Sequence, residues 1–383
     1  MRIAFFTENY FPMISGVSMS IRMFKEALEE EGHEVYVFAP SYNRRGKDIE
    51  ERVIRLPHMP FKIHQSPIVL PATSWKQFLP PFLNLDIIHT HHPFFLGRVA
   101  LFWARALKIP IVYTFHTLYD AYVHYAPLKR EVAVAFLRRY VKKFANQVDL
   151  VIAPSFSVKR FLIDRGVRKP IKVIPTGIKW EEFREDVPER RERNLLFVGR
   201  LGEEKNVPFL FRVLSKIRDC EWKAVFVGDG PDKSRFIKQV RECGLGDRIS
   251  FTGMLPPEEL RRLYKTSYLF VFSSLTETQG IVILEAMASG LPVVALNALG
   301  ISDFIHSGYT GFLAEDEEDF AFKLRLLLEN EELYRKFSMS SREWAKLWDI
   351  SLMASELIQS YRDLKEKFSP PTVLRALEAF NFI

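Results

Sequence analysis

Two glutamates flank the start of a predicted helix in the stretch 274–296, SLTETQGIVILEAMASGLPVVAL. Glu277 lies in the loop before this helix, and Glu285 lies about one turn inside it, with the helix predicted over 281–289. The free N–H groups of a helix start bind phosphate, and a carboxylate accepts two hydrogen bonds from a vicinal diol. This set suits a nucleotide sugar, with one carboxylate for the sugar and one for the ribose. The alternative is that both acids only complement the helix dipole.

Two cations follow another apolar run, in VGRLGEEKN at 198–206. Arg200 and Lys205 lie just beyond the predicted end of a strand. Two cations in that place can neutralise a diphosphate, which is the leaving group of nucleotide-sugar chemistry. The alternative is ordinary surface charge beside the neighbouring glutamates.

The turn VGDGPD at 227–232 carries two glycines but lacks the third glycine of a G-x-G-x-x-G motif. Alone it is weak evidence for a dinucleotide site. The chain also contains no G-x-x-x-x-G-K-[ST] sequence, which disfavours P-loop nucleotide hydrolysis.

His116 directly follows the apolar run 111–115, at the sheet edge where ligands of α/β folds bind. That position favours a functional role over that of an ordinary loop histidine. His89, His91 and His92 lie at the end of another predicted strand. No cysteine accompanies them, and zinc sites need three or four converging ligands. We therefore expect no metal there and favour supporting or acceptor-site roles.

Charge is unevenly distributed along the chain. Residues 1–175 hold 25 Lys and Arg against 14 Asp and Glu, whereas residues 176–383 hold 29 against 33. A basic first half predicts an anionic partner, such as nucleic acid or an anionic membrane surface. A solvated basic face is the alternative. The basic residues follow no zinc-finger or RNA-motif pattern, so nucleic acid is disfavoured.

The segment 128–147 combines apolar and basic residues at helical spacing. Its apolar positions are Val132, Phe136, Leu137, Tyr140, Val141 and Phe144. Its basic positions, the predicted membrane-facing residues, are Lys129, Arg130, Arg138, Arg139, Lys142 and Lys143. A basic amphipathic helix of this kind can lie on an anionic bilayer. The alternative is a core helix whose polar side is basic.

Short apolar runs alternate with predicted helices along the chain. Six runs lie at 2–7, 34–40, 86–90, 111–115, 150–155 and 171–176, and six more at 194–199, 223–228, 248–253, 268–274, 292–296 and 311–314. Buried apolar strands separated by helices predict parallel sheets. The predicted fold class is therefore α/β, with two doubly wound Rossmann-like domains whose strand ends face each other across a cleft.

The predicted boundaries follow this rhythm. They are 1–178 for an acceptor-binding, membrane-facing domain, 179–193 for a charged linker, 194–368 for a nucleotide-sugar domain and 369–383 for a tail. We expect the helices in 316–368 to be only weakly tied to the second sheet.

Composition excludes several classes of protein. The 383 residues are 48% hydrophobic and 26% charged, which is ordinary for a globular chain. No apolar run reaches the length of a membrane span, and the N-terminus lacks a secretory signal. The two cysteines, Cys220 and Cys243, are expected to be reduced thiols. These features predict a soluble intracellular protein.

The succession G-R-x-x-x-E-K, G-D-G-P and E-x7-E resembles the retaining GT-B glycosyltransferases, specifically family 4, from Met1 to about Phe368. The resemblance implies the GT-B fold, with C-terminal helices that can cross back to the first domain. It implies that Arg200 and Lys205 hold the donor diphosphate. It also implies that no metal or other cofactor is required, because protein cations replace the metal.

The same resemblance implies that Glu285 holds the ribose and Glu277 the transferred hexose. The amides around Gly280, Ile281 and Val282 would bind the donor beside Glu277. The hexosyl unit is expected to keep its anomeric configuration. Attack would occur on the face that the diphosphate leaves, and the departing phosphate would help to deprotonate the acceptor.

Three further positions come from the resemblance. The phrase SGVS matches the family's glycine turn, which would place Gly16 near the donor sugar. The phrase YTFHTLYDAYVHY matches the region of the family's active-site histidine, here His116, which would stabilise the transition state. The turn with Met254 and Leu255 would meet the nucleotide base.

Four phrases, TENYFPMISGVSMSIRMF, HTHHPFFLG, FHTLYDAYVHYAP and TETQGIVILEAMASGLPVVA, resemble the bacterial 1,2-diacylglycerol 3-glucosyltransferases. This narrower resemblance implies UDP-glucose as donor, diacylglycerol as acceptor and a peripheral position on the cytoplasmic face of the membrane. The alternatives are a family 4 enzyme with a soluble sugar or glycan acceptor or a GDP-mannose donor, a non-catalytic sugar-binding protein on the same scaffold, and a nucleotide-sugar epimerase of GT-B shape.

Overall fold

Two parallel sheets, each flanked by helices, form the framework of the protein. The computed structural model describes residues 1–41, 50–56, 62–63, 66–67, 84–120, 130–183 and 193–368. The parallel strands are short and continuously apolar because helices cover both faces of each sheet. The strand β13, for example, has the sequence LFVF (Leu269–Phe272) and is buried at all four positions.

The first sheet has the strand order β3-β2-β1-β6-β7-β8-β9. Its strands are β1 (Arg2–Phe6), β2 (Glu34–Pro40), β3 (Val53–Leu56), β6 (Ile87–Thr90), β7 (Ile111–Thr114), β8 (Leu150–Ala153) and β9 (Ile171–Val173). A separate antiparallel pair is formed by β4 (Lys62–Ile63) and β5 (Ser66–Pro67). The helices of this part are α1 (Gly16–Glu30), α2 (Phe95–Leu107), α3 (Arg130–Ala145) and α4 (Phe156–Asp164).

The second sheet has the order β12-β11-β10-β13-β14-β15. Its strands are β10 (Asn194–Val198), β11 (Lys223–Val227), β12 (Ile249–Gly253), β13, β14 (Val293–Leu296) and β15 (Gly311–Ala314). The helices are α5 (Trp180–Phe183), α6 (Val207–Lys216), α7 (Lys233–Glu242), α8 (Pro257–Thr266), α9 (Ile281–Ala288), α10 (Glu317–Glu329), α11 (Glu331–Lys346) and α12 (Ile350–Phe368). The predicted fold class is confirmed, and all twelve predicted strands are present.

The last three helices divide between the two sheets. Phe320 and Leu324 of α10 and Phe337 of α11 are buried in the core of the second sheet, so the expectation of a weak tie was wrong for these helices. The helix α12 instead returns to the first sheet, where Leu357 and Tyr361 are buried in its core. The predicted crossing back to the first domain is thereby confirmed.

The chain passes between the two sheets at two adjacent places. Ile178 forms a parallel bridge with Asp349, and the Ile350 N–H donates to the carbonyl of Ile178 at 2.9 Å. A Cβ on Gly177 would lie only 2.4 Å from the Cα of Ile350. Only glycine therefore allows the two crossings to lie this close together.

Substitution of Gly177 by alanine should lower the midpoint of thermal unfolding, because one of the two crossing segments must move. We expect the free energy of unfolding to fall by about 1–3 kcal/mol, as for other overpacked sites. Gly246→Ala is the matched control, since its new Cβ would lie 3.7 Å from the nearest side-chain atom, Cγ of Arg241. Equal midpoints for both variants would contradict this account of Gly177.

Candidate active site

Loops at the carboxyl ends of the two sheets meet in direct contact. The Ser155 hydroxyl donates to the carbonyl of Thr278 at 2.9 Å, and the Thr278 hydroxyl donates to the carbonyl of His116 at 2.8 Å. Beside them the Thr176 N–H donates to the Gln279 side chain at 2.7 Å. The loop that contains Glu277 thus lies against the segment that contains His116, as strand ends facing across a cleft predict.

Lys205 and Glu277 form an ion pair. Both side chains are 17% exposed, so the pair is largely shielded while part of it stays accessible. The Ser273 hydroxyl donates to the Lys205 carbonyl at 2.9 Å, which fixes the lysine backbone at the end of β13. A carboxylate and an ammonium in contact can bind neighbouring parts of one ligand, with the lysine facing an anionic group and the glutamate facing hydroxyls.

Arg200 lies at the end of β10 and is exposed. Among the described residues, no carboxylate lies within ion-pair distance of its guanidinium. Its loop is positioned by the two glycines of VGDGPD. A Cβ on Gly228 would lie 1.9 Å from the carbonyl oxygen of Gly199, and one on Gly230 would lie 2.3 Å from that of Leu201. These glycines therefore allow close backbone packing beside Arg200, a role that the incomplete nucleotide motif did not reveal.

The start of α9 is open. Gly280 precedes it with φ of 78°, and no side chain caps the first turn. The Ile283 N–H bonds back to the Gly280 carbonyl at 3.0 Å. The N–H groups of Ile281 and Val282 have no partner within a helix, because the first turn has none. An anion placed here would meet those donors and the positive end of the helix dipole.

Glu285 lies on α9 and accepts a hydrogen bond from a residue that the sequence analysis did not single out. The buried Tyr264 hydroxyl donates to a Glu285 carboxylate oxygen at 2.8 Å. Burial raises the pKa of Glu285, and this hydrogen bond partly offsets that effect. One carboxylate oxygen is thus engaged by the protein. No sequence signal linked Tyr264 to Glu285, because Tyr264 belongs to none of the motifs and lies on a different helix, α8.

His116 lies at the end of β7 and is part of a cluster of imidazoles. Its Nε2 lies 2.9 Å from Nδ1 of His91. Burial is the main cause that lowers the pKa of His116 well below its usual range, so the ring is neutral at pH 7. Across the residues that the structure describes, no three His, Cys, Asp or Glu side chains are arranged to hold a metal ion.

The two remaining predicted donor positions lie at turns. Gly16 begins α1, next to the capping residue Ser15, and a Cβ on Gly16 would have no atom within 4 Å. Open space at this glycine is compatible with close approach of a ligand. Met254 follows β12 and is 57% exposed, whereas Leu255 packs against the second core. Their turn is joined to Gly228, whose N–H donates to the Gly253 carbonyl at 2.9 Å.

The helix α3 corrects the prediction of a single apolar face. Val141 and Phe144 are buried, but Val132 and Phe136 are 60% and 64% exposed. The apolar positions thus form two stripes, one toward the core and one toward solvent. Among the predicted membrane-facing residues, Arg139, Lys142 and Lys143 are exposed and Arg138 pairs with Asp120 at 2.7 Å. Arg130 begins the helix, and Lys129 lies outside the described residues.

Helices long and apolar enough to cross a membrane are absent from the described part of the chain. Two features define the molecule: paired Rossmann-like sheets, and strand-end loops that bring a cation–carboxylate pair next to a segment with a buried histidine cluster. They are the features of a GT-B glycosyltransferase.

Comparison with known proteins identifies the family. The model "Glycosyltransferase Family 4" matches residues 14–182, and "Glycosyl transferases group 1" matches residues 178–344. An alpha-monoglucosyldiacylglycerol synthase of Streptococcus pneumoniae is 34% identical over 84% of this chain and 77% of its own. The alpha-monoglucosyldiacylglycerol synthase of Acholeplasma laidlawii is 28% identical over 96% of this chain and 98% of its own. A GDP-mannose-dependent alpha-mannosyltransferase of Corynebacterium glutamicum is 30% identical over 95% and 89%.

Solved structures agree on the fold. Sucrose-phosphate synthase from Thermosynechococcus elongatus has a TM-score of 0.79 at 23% identity and covers 95% of this chain and 98% of its own. The Anabaena protein HepE, solved with UDP-glucose, has a TM-score of 0.77 at 20% identity and covers 95% and 100%. The chain belongs to glycosyltransferase family 4, and the predictions of a GT-B fold and of a retaining glycosyltransferase are confirmed.

Proposed function

We propose that the protein transfers glucose from UDP-glucose to the 3-hydroxyl of a 1,2-diacylglycerol, with retention of configuration, at the cytoplasmic face of the membrane. The observation that carries the proposal is the contact of Lys205 and Glu277 beside the open start of α9, opposite His116. The similarity to two alpha-monoglucosyldiacylglycerol synthases supports transfer of a glucosyl group to diacylglycerol. The UDP-glucose complex of HepE supports the donor class.

The donor would bind along the edge of the second sheet. Arg200 and Lys205 would hold the diphosphate together with the N–H groups of Ile281 and Val282. Glu277 would accept hydrogen bonds from the hexose hydroxyls. Glu285 would bind the ribose through the carboxylate oxygen that Tyr264 leaves available. The base would lie at the turn of Met254 and Leu255.

Chemistry would proceed on one face of the sugar. The bond between the anomeric carbon and the diphosphate oxygen breaks as the acceptor oxygen approaches from the same side. The acceptor proton passes to the departing phosphate oxygen, so the products are the glucoside and the protonated nucleoside diphosphate. Arg200, Lys205 and the helix amides stabilise the charge that develops on the leaving group. The neutral His116, with Gly16 nearby, would stabilise the sugar in an oxocarbenium-like transition state.

The acceptor would reach the cleft from a membrane surface. The exposed stripe on α3 places Val132 and Phe136 in line with Arg139 and Lys143, because these positions share one side of a helix. Apolar groups would enter the interface while the cations bind anionic lipid headgroups. This arrangement supports peripheral attachment of the first domain.

The same scaffold fits a second candidate, a mannosyltransferase with a GDP-mannose donor, which the Corynebacterium glutamicum relative favours. A screen separates the two: UDP- and GDP-sugars are incubated with vesicles of diacylglycerol and anionic phospholipid, and products are identified by mass. A hexosyl diacylglycerol formed from UDP-glucose supports the proposal. Product formed only from GDP-mannose would contradict the proposed donor. Product formed only with a soluble glycan would contradict the proposed acceptor.

We also propose that catalysis requires no metal ion, because Arg200 and Lys205 supply the positive charge that a metal would bring to the diphosphate. Turnover measured in excess EDTA should equal turnover measured with added Mg²⁺ or Mn²⁺. A large loss in EDTA that Mg²⁺ restores would show that the two protein cations are not sufficient.

A further inference from the structure

Three imidazole rings stack at the carboxyl edge of the first sheet. The rings of His89 and His91 are 4.4 Å apart with planes at 25°, and those of His91 and His116 are 5.2 Å apart at 26°. His89 is fully partnered, since its Nδ1 lies 2.6 Å from the Tyr361 hydroxyl and its Nε2 lies 2.7 Å from that of Thr114. The stack therefore runs from the crossover helix α12 to the candidate active-site histidine.

His91 is the middle ring and is partnered on one side only. It is 1% exposed, and its Nδ1 lies 2.9 Å from Nε2 of His116. Its Nε2 is buried and has no hydrogen-bond partner among the described residues. Phe5 packs edge-on against the ring, with centroids 4.9 Å apart.

The position of the protons follows from this asymmetry. Burial keeps both rings neutral by lowering the pKa of His91 and of His116, so each ring carries one N–H. A proton on Nε2 of His91 would be a buried N–H without an acceptor, which is rarer in proteins than an unsatisfied acceptor. The favoured arrangement places the His91 proton on Nδ1, where it is donated to Nε2 of His116.

We propose that His91 is a positioning residue that fixes the tautomer of His116. With Nε2 of His116 acting as acceptor, the His116 proton must lie on Nδ1. That atom makes no hydrogen bond to any described residue, and the side chain of His116 is partly exposed at the contact between the domains. His116 therefore presents an N–H donor to the cleft, and no basic lone pair.

This inference rests on the proposed function in one respect, the contact between His116 and the transferred sugar. In that function an N–H donor would hydrogen-bond to an oxygen of the sugar or of the leaving diphosphate as charge develops there. The acceptor proton then has to leave by another route, which agrees with its transfer to the departing phosphate. His116 would stabilise the transition state through its oriented N–H donor and would not change its protonation during turnover.

Long-range proton–nitrogen NMR on protein labelled with ¹⁵N-histidine tests the tautomer directly. The His116 signals are assigned as those that His116→Ala removes. We expect wild-type protein to show a protonated Nδ1 and a bare Nε2 on His116. His91→Leu should lose this single tautomer and lower kcat by about tenfold to a hundredfold, the effect of one lost hydrogen bond in a buried site. Its KM for UDP-glucose should stay within about twofold, because donor binding rests on the second sheet.

Two further variants separate positioning from packing. His91→Asn should retain the wild-type tautomer and most of kcat, because its amide can donate from the place of Nδ1. His89→Leu removes a ring of the same stack that makes no hydrogen bond to His116, so it should lower thermal stability and leave the His116 tautomer unchanged.

A protonated Nε2 on His116 in the wild type would overturn the proposal, as would wild-type kcat in a folded His91→Leu. The NMR measurement needs no substrate, so failure of UDP-glucose as donor would appear as absent turnover in the wild type and would leave the tautomer result intact. If His91→Leu does not fold, the wild-type tautomer and the His91→Asn kinetics still decide.

Discussion

Replacing Lys205 by alanine should lower kcat by about 10²–10³-fold, the usual cost of removing one group that stabilises a leaving oxyanion. The change removes the ammonium that pairs with Glu277, while the main chain at this position remains held by Ser273. The fold should therefore persist. Initial rates at saturating UDP-glucose and diacylglycerol would measure the effect.

Two variants control for the charge change. Lys205→Arg retains a cation and should recover part of the lost rate. Lys216→Ala removes a lysine of the same domain that pairs with Glu318 at the surface, and it should leave kcat unchanged. Full activity of folded Lys205→Ala, together with full activity of folded His116→Ala, would rule out the assignment of the site.

Vesicle binding should weaken by about 30-fold in the double variant Arg139→Ala/Lys143→Ala, because each cation near an anionic surface contributes roughly 1 kcal/mol. Both side chains are exposed on α3, beside Val132 and Phe136. Sedimentation with vesicles rich in anionic phospholipid at low salt would measure the loss. The difference from wild type should shrink as salt rises, since ions screen the attraction.

The double variant Lys238→Ala/Arg262→Ala is the matched control, because both side chains are exposed on helices of the second sheet. It should bind vesicles like the wild type. Equal binding of the wild type to neutral and anionic vesicles at low salt would refute the electrostatic part of the proposal.

The framework was predictable from local sequence because parallel strands buried on both faces are continuously apolar. Strand β3 was missed: its sequence, VIRL (Val53–Leu56), is only four residues long and includes an arginine. The return of α12 to the first sheet came only from the family resemblance. Nothing in the periodicity of Ile350–Phe368 indicates which of two cores its buried face contacts.

The site was predictable as a set of residues but not as an arrangement. The spacing of Glu277 and Glu285 gave a loop and a helix position, whereas the contact between Lys205 and Glu277 depends on how two strands of one sheet are paired. The phrase HTHHP drew attention to His91 but could not show that its ring lies against His116. On α3, helical spacing placed Val132 and Phe136 in one apolar set with Val141 and Phe144, and it could not show that only the last two face the core.

The paired crossings at Ile178 and Asp349 determine how the two halves of the enzyme can move. A single covalent tether would permit sliding and twisting in many directions. Two segments joined side by side by backbone hydrogen bonds would restrict the motion mainly to rotation about one axis. Opening by this rotation would separate Thr278 from His116 without displacing the two loops sideways relative to each other. The nucleoside diphosphate product could then dissociate. When the two halves close on the next donor, the loops of the two sheets would return to the same relative position.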